Sequence, residues 1–146
     1  MSADEPGPVP NGPQLNVIAL VVADLSASIE FYRQLGVDFA AGEADDTHVS
    51  APLGGGIHLM LDSEESIREM YPDWASAGAG RASLAVQLST PSDVDGCYTA
   101  LAADGFGMRA PWDAFWGQRY ATVQDPDGTP VDLYAEQPAE APPADQ

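Results

Sequence analysis

The chain has 146 residues, enough for one domain with a sizeable core, and its 45% apolar content is ordinary for a globular protein. A formal net charge of -18, from 23 acidic residues against five basic ones, all arginine, disfavours nucleic acid and acidic membrane surfaces as partners. Such a charge gives a solvated acidic surface and attracts a cationic ligand. The single cysteine, Cys97, excludes an intramolecular disulfide, and its place in an amphipathic pattern makes it a buried, inert thiol. No stretch reaches the roughly 20 apolar residues of a membrane span, and no basic, apolar leader opens the chain, so the expected location is the cytoplasm.

Residues 1–13 and 136–146 are rich in proline, alanine and acids and are expected to be disordered tails around a domain at 14–135. Asn16 to Val22 is an apolar strand. Asp24 is a plausible N-cap for a helix with apolar residues at 25, 29, 32 and 35, ended by Gly36. A short strand near Val37 to Ala41 follows, then strands at His48 to Ala51 and Ile57 to Asp62 around Gly54-Gly55-Gly56. Ser63 to Tyr71 is a short helix stopped by Pro72, and Ala75 to Gly80 a flexible connection. Ala82 to Leu88 starts a second unit. Its helix, capped by Ser92 or Asp93, has apolar positions at 94, 97, 98 and 101, and Gly105 ends it. Met108 to Ala110 is a short strand, and Trp112, Phe115 and Trp116 form an aromatic loop. A hairpin closes the unit around the turn Asp125-Pro126-Asp127-Gly128. The pattern is βαβββ used twice, at 14–62 and 82–135, with a linker at 63–81. The expected class is α+β: a cupped mixed sheet with helices on its convex face.

Strand alternation assigns the faces. Ile18, Leu20, Val22, Ile57, Leu59, Leu61, Leu84, Val86, Leu88, Val131 and Leu133 make the aliphatic face under the helices. His58, Met60, Asp62, Ser83, Gln87, Asp132 and Tyr134 make a mixed face, the default ligand surface. Trp112, Trp116 and Tyr120 are candidates for stacking on a flat ligand. Phe115 serves either the ligand or the cover of a core or interface. Met60 is a soft wall, and His58, Asp62 and Tyr134 supply hydrogen bonds or meet a cationic group. Phe39 and Phe106, at equivalent places after the two helices, are expected at the rim. Arg119 should point away from the mixed face, and Trp74 should pack within the linker.

With a strand leading into "ADLSASIEFYRQLG" and a closing "DPDGTPVDLY", the repeated unit resembles the vicinal oxygen chelate superfamily over roughly residues 14 to 135. That superfamily holds glyoxalases, extradiol dioxygenases, fosfomycin-inactivating enzymes and bleomycin-resistance proteins. The resemblance implies the glyoxalase/bleomycin-resistance fold and, in the enzymes, a metal whose ligand positions fall here on Val17, His58, Ser83 and Asp132. Valine carries no donor and serine is a poor ligand. His58 then serves as a polar wall residue, and the expectation is a metal-free site with no cofactor.

"GGIHLMLDSEESIREMYPDW" and "PWDAFWGQRYATVQDPDGTPVDLYA" are similar to mitomycin-resistance-type drug-binding proteins. That similarity implies a homodimer and an aromatic antibiotic, of a kind that targets DNA, stacked between aromatic rings without chemical change. Two other readings stay open. One is a metal-dependent enzyme of the same superfamily using His58 and Asp132. The other is a carrier that presents the compound to an enzyme.

Overall fold

A computed structural model describes residues 13–42, 47–76, 78 and 82–138. Of the expected tails at 1–13 and 136–146, residues 1–12 and 139–146 lie outside the described residues, as do residues 77, 79 and 80 of the expected connection at 75–80. The fold is mixed α+β, and the chain divides into two compact units, 1–76 and 77–146.

Unit 1 holds a three-stranded sheet of β1 (Val17–Val22), β2 (His48–Gly54) and β3 (Ile57–Ser63), in the order β1-β3-β2. β1 runs parallel to β3, pairing Val17 with His58 and Val21 with Asp62, and β2 runs antiparallel to β3. The parallel pair requires a crossover, which α1 (Leu25–Gln34) supplies. The Asp24 carboxylate caps α1 by accepting from the Ala27 N–H at 3.0 Å, satisfying one of the otherwise orphaned donors of the first turn. Ser28, Phe31 and Tyr32 are its buried residues, and Val22, Val49, Ala51, Leu59 and Leu61 are the buried apolar sheet residues of this unit.

The segment expected as a strand near 37–41 is instead a 3-10 turn at Phe39–Ala41. Asp38 caps it, accepting from the Ala40 N–H at 3.1 Å. A short acidic side chain that bonds its own backbone competes with a strand ladder, and here it wins. The turn buries Phe39, which is 8% exposed in the core rather than at a rim. The short helix α2 (Glu64–Met70) leaves β3 directly, with Ser63 as N-cap.

Unit 2 is βαβββ as the pattern predicts. Its sheet order is β4-β7-β6-β5, made of β4 (Leu84–Gln87), β5 (Gly107–Ala114), β6 (Gln118–Gln124) and β7 (Pro130–Glu136). α3 (Pro91–Ala103) packs beside β5, β6 and β7. Its N-cap is Thr90, not Ser92 or Asp93. The Thr90 hydroxyl accepts from the Asp93 N–H at 3.1 Å, and Pro91 occupies the first helical position, where a missing N–H costs nothing. Val94, Leu101, Ala121, Val123, Val131, Leu133 and Ala135 are all at most 1% exposed. Burying each valine or leucine of that set contributes about 1.5–3 kcal/mol. Cys97 is half-buried, and burial pushes its thiol pKa up, away from the reactive thiolate.

Two strands exceed their expected limits. β5 runs through Trp112 to Ala114, so Trp112 belongs to a strand rather than a loop. β7 reaches Glu136, and the Gln137 N–H donates to the Gly117 carbonyl at 3.0 Å, extending order past residue 135. The turn at 125–128 is tied by the buried Asp125 carboxylate, which accepts from the Asp127 and Thr129 N–H groups at 2.9 and 2.8 Å. Among the described residues, no helix is long and apolar enough to cross a membrane.

Candidate functional site

The hairpin register builds the mixed face of unit 2. β6 pairs Tyr120 with Tyr134 and Thr122 with Asp132 on β7, and pairs Tyr120 with Trp112 on β5. Trp112, Tyr120 and Tyr134 therefore lie in one row across three strands. Trp116, at the β5–β6 turn, joins that row. Its ring centroid is 5.4 Å from that of Trp112 and 5.3 Å from that of Tyr120, both edge-to-face. Tyr120 and Tyr134 stack at 6.4 Å with an interplanar angle of 28°. Phe115 extends the cluster 4.9 Å from Trp116 and is 91% exposed. Edge-to-face and offset geometries are those favoured by the ring quadrupoles.

Polar groups fix this cluster. The Tyr120 hydroxyl donates to Asp132 Oδ2 at 2.6 Å, and the Thr122 hydroxyl donates to Asp132 Oδ1 at 3.0 Å. Trp116 Nε1 donates to Gln118 Oε1 at 2.8 Å, and Gln118 Nε2 donates to Glu136 at 2.7 Å. Trp112 Nε1 is buried with no hydrogen-bond partner among the described residues. The Arg109 guanidinium lies 3.9 Å from the centroid of the Trp112 ring, over its face. Arg119 points to the helix side. Its guanidinium meets the Asp95 carboxylate on α3 at 2.8 Å and Asp113 at 3.0 Å, and these contacts push its pKa further up.

Tyr120 has its pKa pushed up to about 12, first by burial and then by the hydrogen bond and charge of Asp132. The fold thus favours the neutral phenol. Its contribution to stability is whole below pH 10, the ordinary tyrosine value, and is lost as pH rises through about 12. An ultraviolet titration should show the Tyr120 phenol ionising at about 12. Asp132→Asn should lower that midpoint, and Tyr120→Phe should remove one tyrosine's amplitude from the step.

The mixed face of unit 1 carries His58, Met60 and Asp62 on β3, with His48 opposite Asp62 and Ser50 opposite Met60 on β2. Met60 and Asp62 line a cavity of about 420 Å³ with α2, whereas His58 is exposed beside Val17 and Pro52 and does not line it. Phe106 is half-buried after α3, its N–H bonded to the Leu101 carbonyl. Trp74 packs locally, under the Arg68 guanidinium at 5.3 Å.

Of the four positions that the resemblance marks for a metal, Val17 has no donor atom. Ser83 is exposed. Both carboxylate oxygens of Asp132 are engaged by hydroxyls. Among the described residues, no three His, Cys, Asp or Glu side chains gather so as to hold a metal ion. The donor set there does not fit a chelated metal, where three or four ligands are usual. Arg109, Thr122 and Gln118 were not expected at the site. Pro111 inside β5 was the available sign for Arg109. An edge strand tolerates proline, and the register shifts on either side of Arg109 bring it onto the Trp112 face.

Residues 14–133 match the family model described as the Glyoxalase/Bleomycin resistance protein/Dioxygenase superfamily. Among solved structures, a glyoxalase-related enzyme from Fulvimarina pelagi is similar at 22% identity and a TM-score of 0.72, over 84% of this chain and 88% of that one. A glyoxalase/bleomycin resistance protein/dioxygenase from Nocardioides is 28% identical, with a TM-score of 0.64 over 92% of this chain and 90% of its own. A family enzyme from Burkholderia phytofirmans is 17% identical, with a TM-score of 0.69 over 85% and 99%. Among curated proteins, none matches.

Proposed function

This chain belongs to the glyoxalase/bleomycin resistance protein/dioxygenase superfamily, and from that premise we propose that it is a binding protein that sequesters a flat aromatic natural product. The observation that carries this reading is the convergence of Trp112, Trp116, Tyr120 and Tyr134 on one sheet face, with ring surface at Trp116 and Phe115 open to solvent. Sequestration needs no nucleophile. It needs flat walls and a few polar groups, and each aromatic pair contributes about 0.5–1.5 kcal/mol beyond its area. The engaged state of Asp132 supports binding over chelation, because a carboxylate held by two hydroxyls orients rings. In this reading the ligand is a DNA-targeting antibiotic of the mitomycin-resistance type, bound reversibly and unchanged. The protein works as a cytoplasmic homodimer that protects its own cell.

The test is a fluorescence titration of chelator-treated protein with a panel of intercalating antibiotics. Saturable tryptophan quenching at about one ligand per chain, with the compound recovered intact, supports sequestration. No response until a divalent ion is added, followed by turnover of a small carbonyl or catechol, would favour the enzyme reading instead.

A further inference from the structure

Unit 1 has a cavity of its own, with a chemistry unlike that of the aromatic face. Its volume of about 420 Å³ lies within the range of small-molecule sites. Met60 on β3 and Ile67 and Met70 on α2 give it apolar walls. Asp62 on β3 and Glu69 on α2 add two carboxylates, and His48 stands across from Asp62 in the strand register. Neither lysine nor arginine lines it. Arg68, between two of the lining residues in sequence, is turned to Glu64 at 3.2 Å and to the Trp74 ring. Met70 is 65% exposed, which makes it the soft, adaptable edge of an open mouth.

We propose that this cavity binds a small organic cation, a protonated amine on a hydrocarbon or aromatic body. Thioether and aliphatic walls gain from removing the body from water. The exposed Glu69 carboxylate favours the ammonium, and the net charge of -18 raises the local concentration of cations around the whole chain. A neutral ligand of the same shape forgoes the second and third of these gains, and an anion is repelled. The inference does not rest on stacking at Trp112.

The four methionines make the test direct. The full chain, carrying carbon-13 in its methionine methyls, is titrated with 2-phenylethylamine and with its neutral counterpart 2-phenylethanol at neutral pH. The Met60 and Met70 methyl signals should move saturably with the amine while Met108 stays still. The alcohol should bind about tenfold more weakly. Glu69→Gln, an exposed change on α2 that spares the fold, should lower amine affinity several-fold, whereas Trp112→Ala should leave it unchanged. Equal affinity for amine and alcohol would overturn the proposal. So would movement confined to Met108, no movement at millimolar amine, or an unaltered affinity in Glu69→Gln. Loss of amine binding in Trp112→Ala would assign it to the aromatic face instead.

Discussion

If the chain binds a flat aromatic ligand as proposed, Trp112→Ala should lower the affinity by about thirtyfold or more, while the circular dichroism spectrum keeps its mixed α+β form. A central, half-buried aromatic anchor contributes about 2 kcal/mol or more to binding, which converts to that factor. In the proposed function Trp112 takes that place. Arg109 lies on its face, Trp116 meets it edge-on, and Tyr120 flanks it with ring centroids 6.5 Å apart. Removing the ring leaves Arg109 without its platform and Trp116 without a wall. Trp112→Phe separates two roles, because it keeps a flat face and deletes the buried Nε1 donor. If only stacking matters, the phenylalanine variant recovers most of the affinity. If the donor meets a ligand acceptor, it does not. Phe115→Ala, at a position 91% exposed on the turn, should weaken binding only a few-fold. Calorimetric titration reads all three, and unchanged affinity in Trp112→Ala would sink the stacking reading.

Gly42→Ala destabilises the protein by about 3 kcal/mol and lowers Tm by roughly 10 °C. The reason is steric. A Cβ at Gly42 would lie 1.7 Å from the Ser50 carbonyl oxygen and 2.5 Å from its carbon. Those atoms belong to the backbone of β2, so no side chain can swing aside. The backbone angle at Gly42, φ -110°, suits any residue, so the whole effect comes from the close approach. Gly36 is the opposite case, with φ +89° and nothing within 4 Å of its added Cβ. Gly36→Ala should cost only about 1–2 kcal/mol, through backbone strain alone. Thermal and urea unfolding of the two variants checks the contrast, and a Gly42→Ala Tm equal to that of the parent would refute the packing described at β2.

Strand alternation was readable where both neighbours of a strand are fixed. Val131 and Leu133 fell inward and Asp132 and Tyr134 outward because β7 lies between β4 and β6, with α3 packed beside it. The reading failed where local chemistry or edges decide. The apolar run after Gly36 was too short to hold a strand against the Asp38 cap. The Trp112 segment is expected as an aromatic loop, yet it belongs to β5, an edge strand that runs on through Pro111. Thr90 was overlooked as a cap, although Pro91 after it was a usable sign. At the site, the ring cluster was legible from composition and spacing. The Tyr120–Asp132–Thr122 bonds were not, since they depend on the register that pairs Thr122 with Asp132. Nor was the part played by α2, whose Ile67 and Met70 line a cavity only because the helix returns beside β3 and β1.

The sheet orders also carry a timetable. In both units the strand that arrives last in the chain lies between earlier ones: β3 between β1 and β2, and β7 between β4 and β6. Neither sheet can close progressively from one side. During synthesis, β1 waits beside an empty place until β3 emerges, and β4 waits for β7 across a helix and two strands. Such delayed, non-local pairing is slow and leaves apolar strands open to wrong partners meanwhile. The first sheet can be complete while the second is still being made. The second gains its central strand only with residues 130–136, so a nascent chain halted just before them holds its tryptophans but lacks the strand that carries Asp132 and Tyr134.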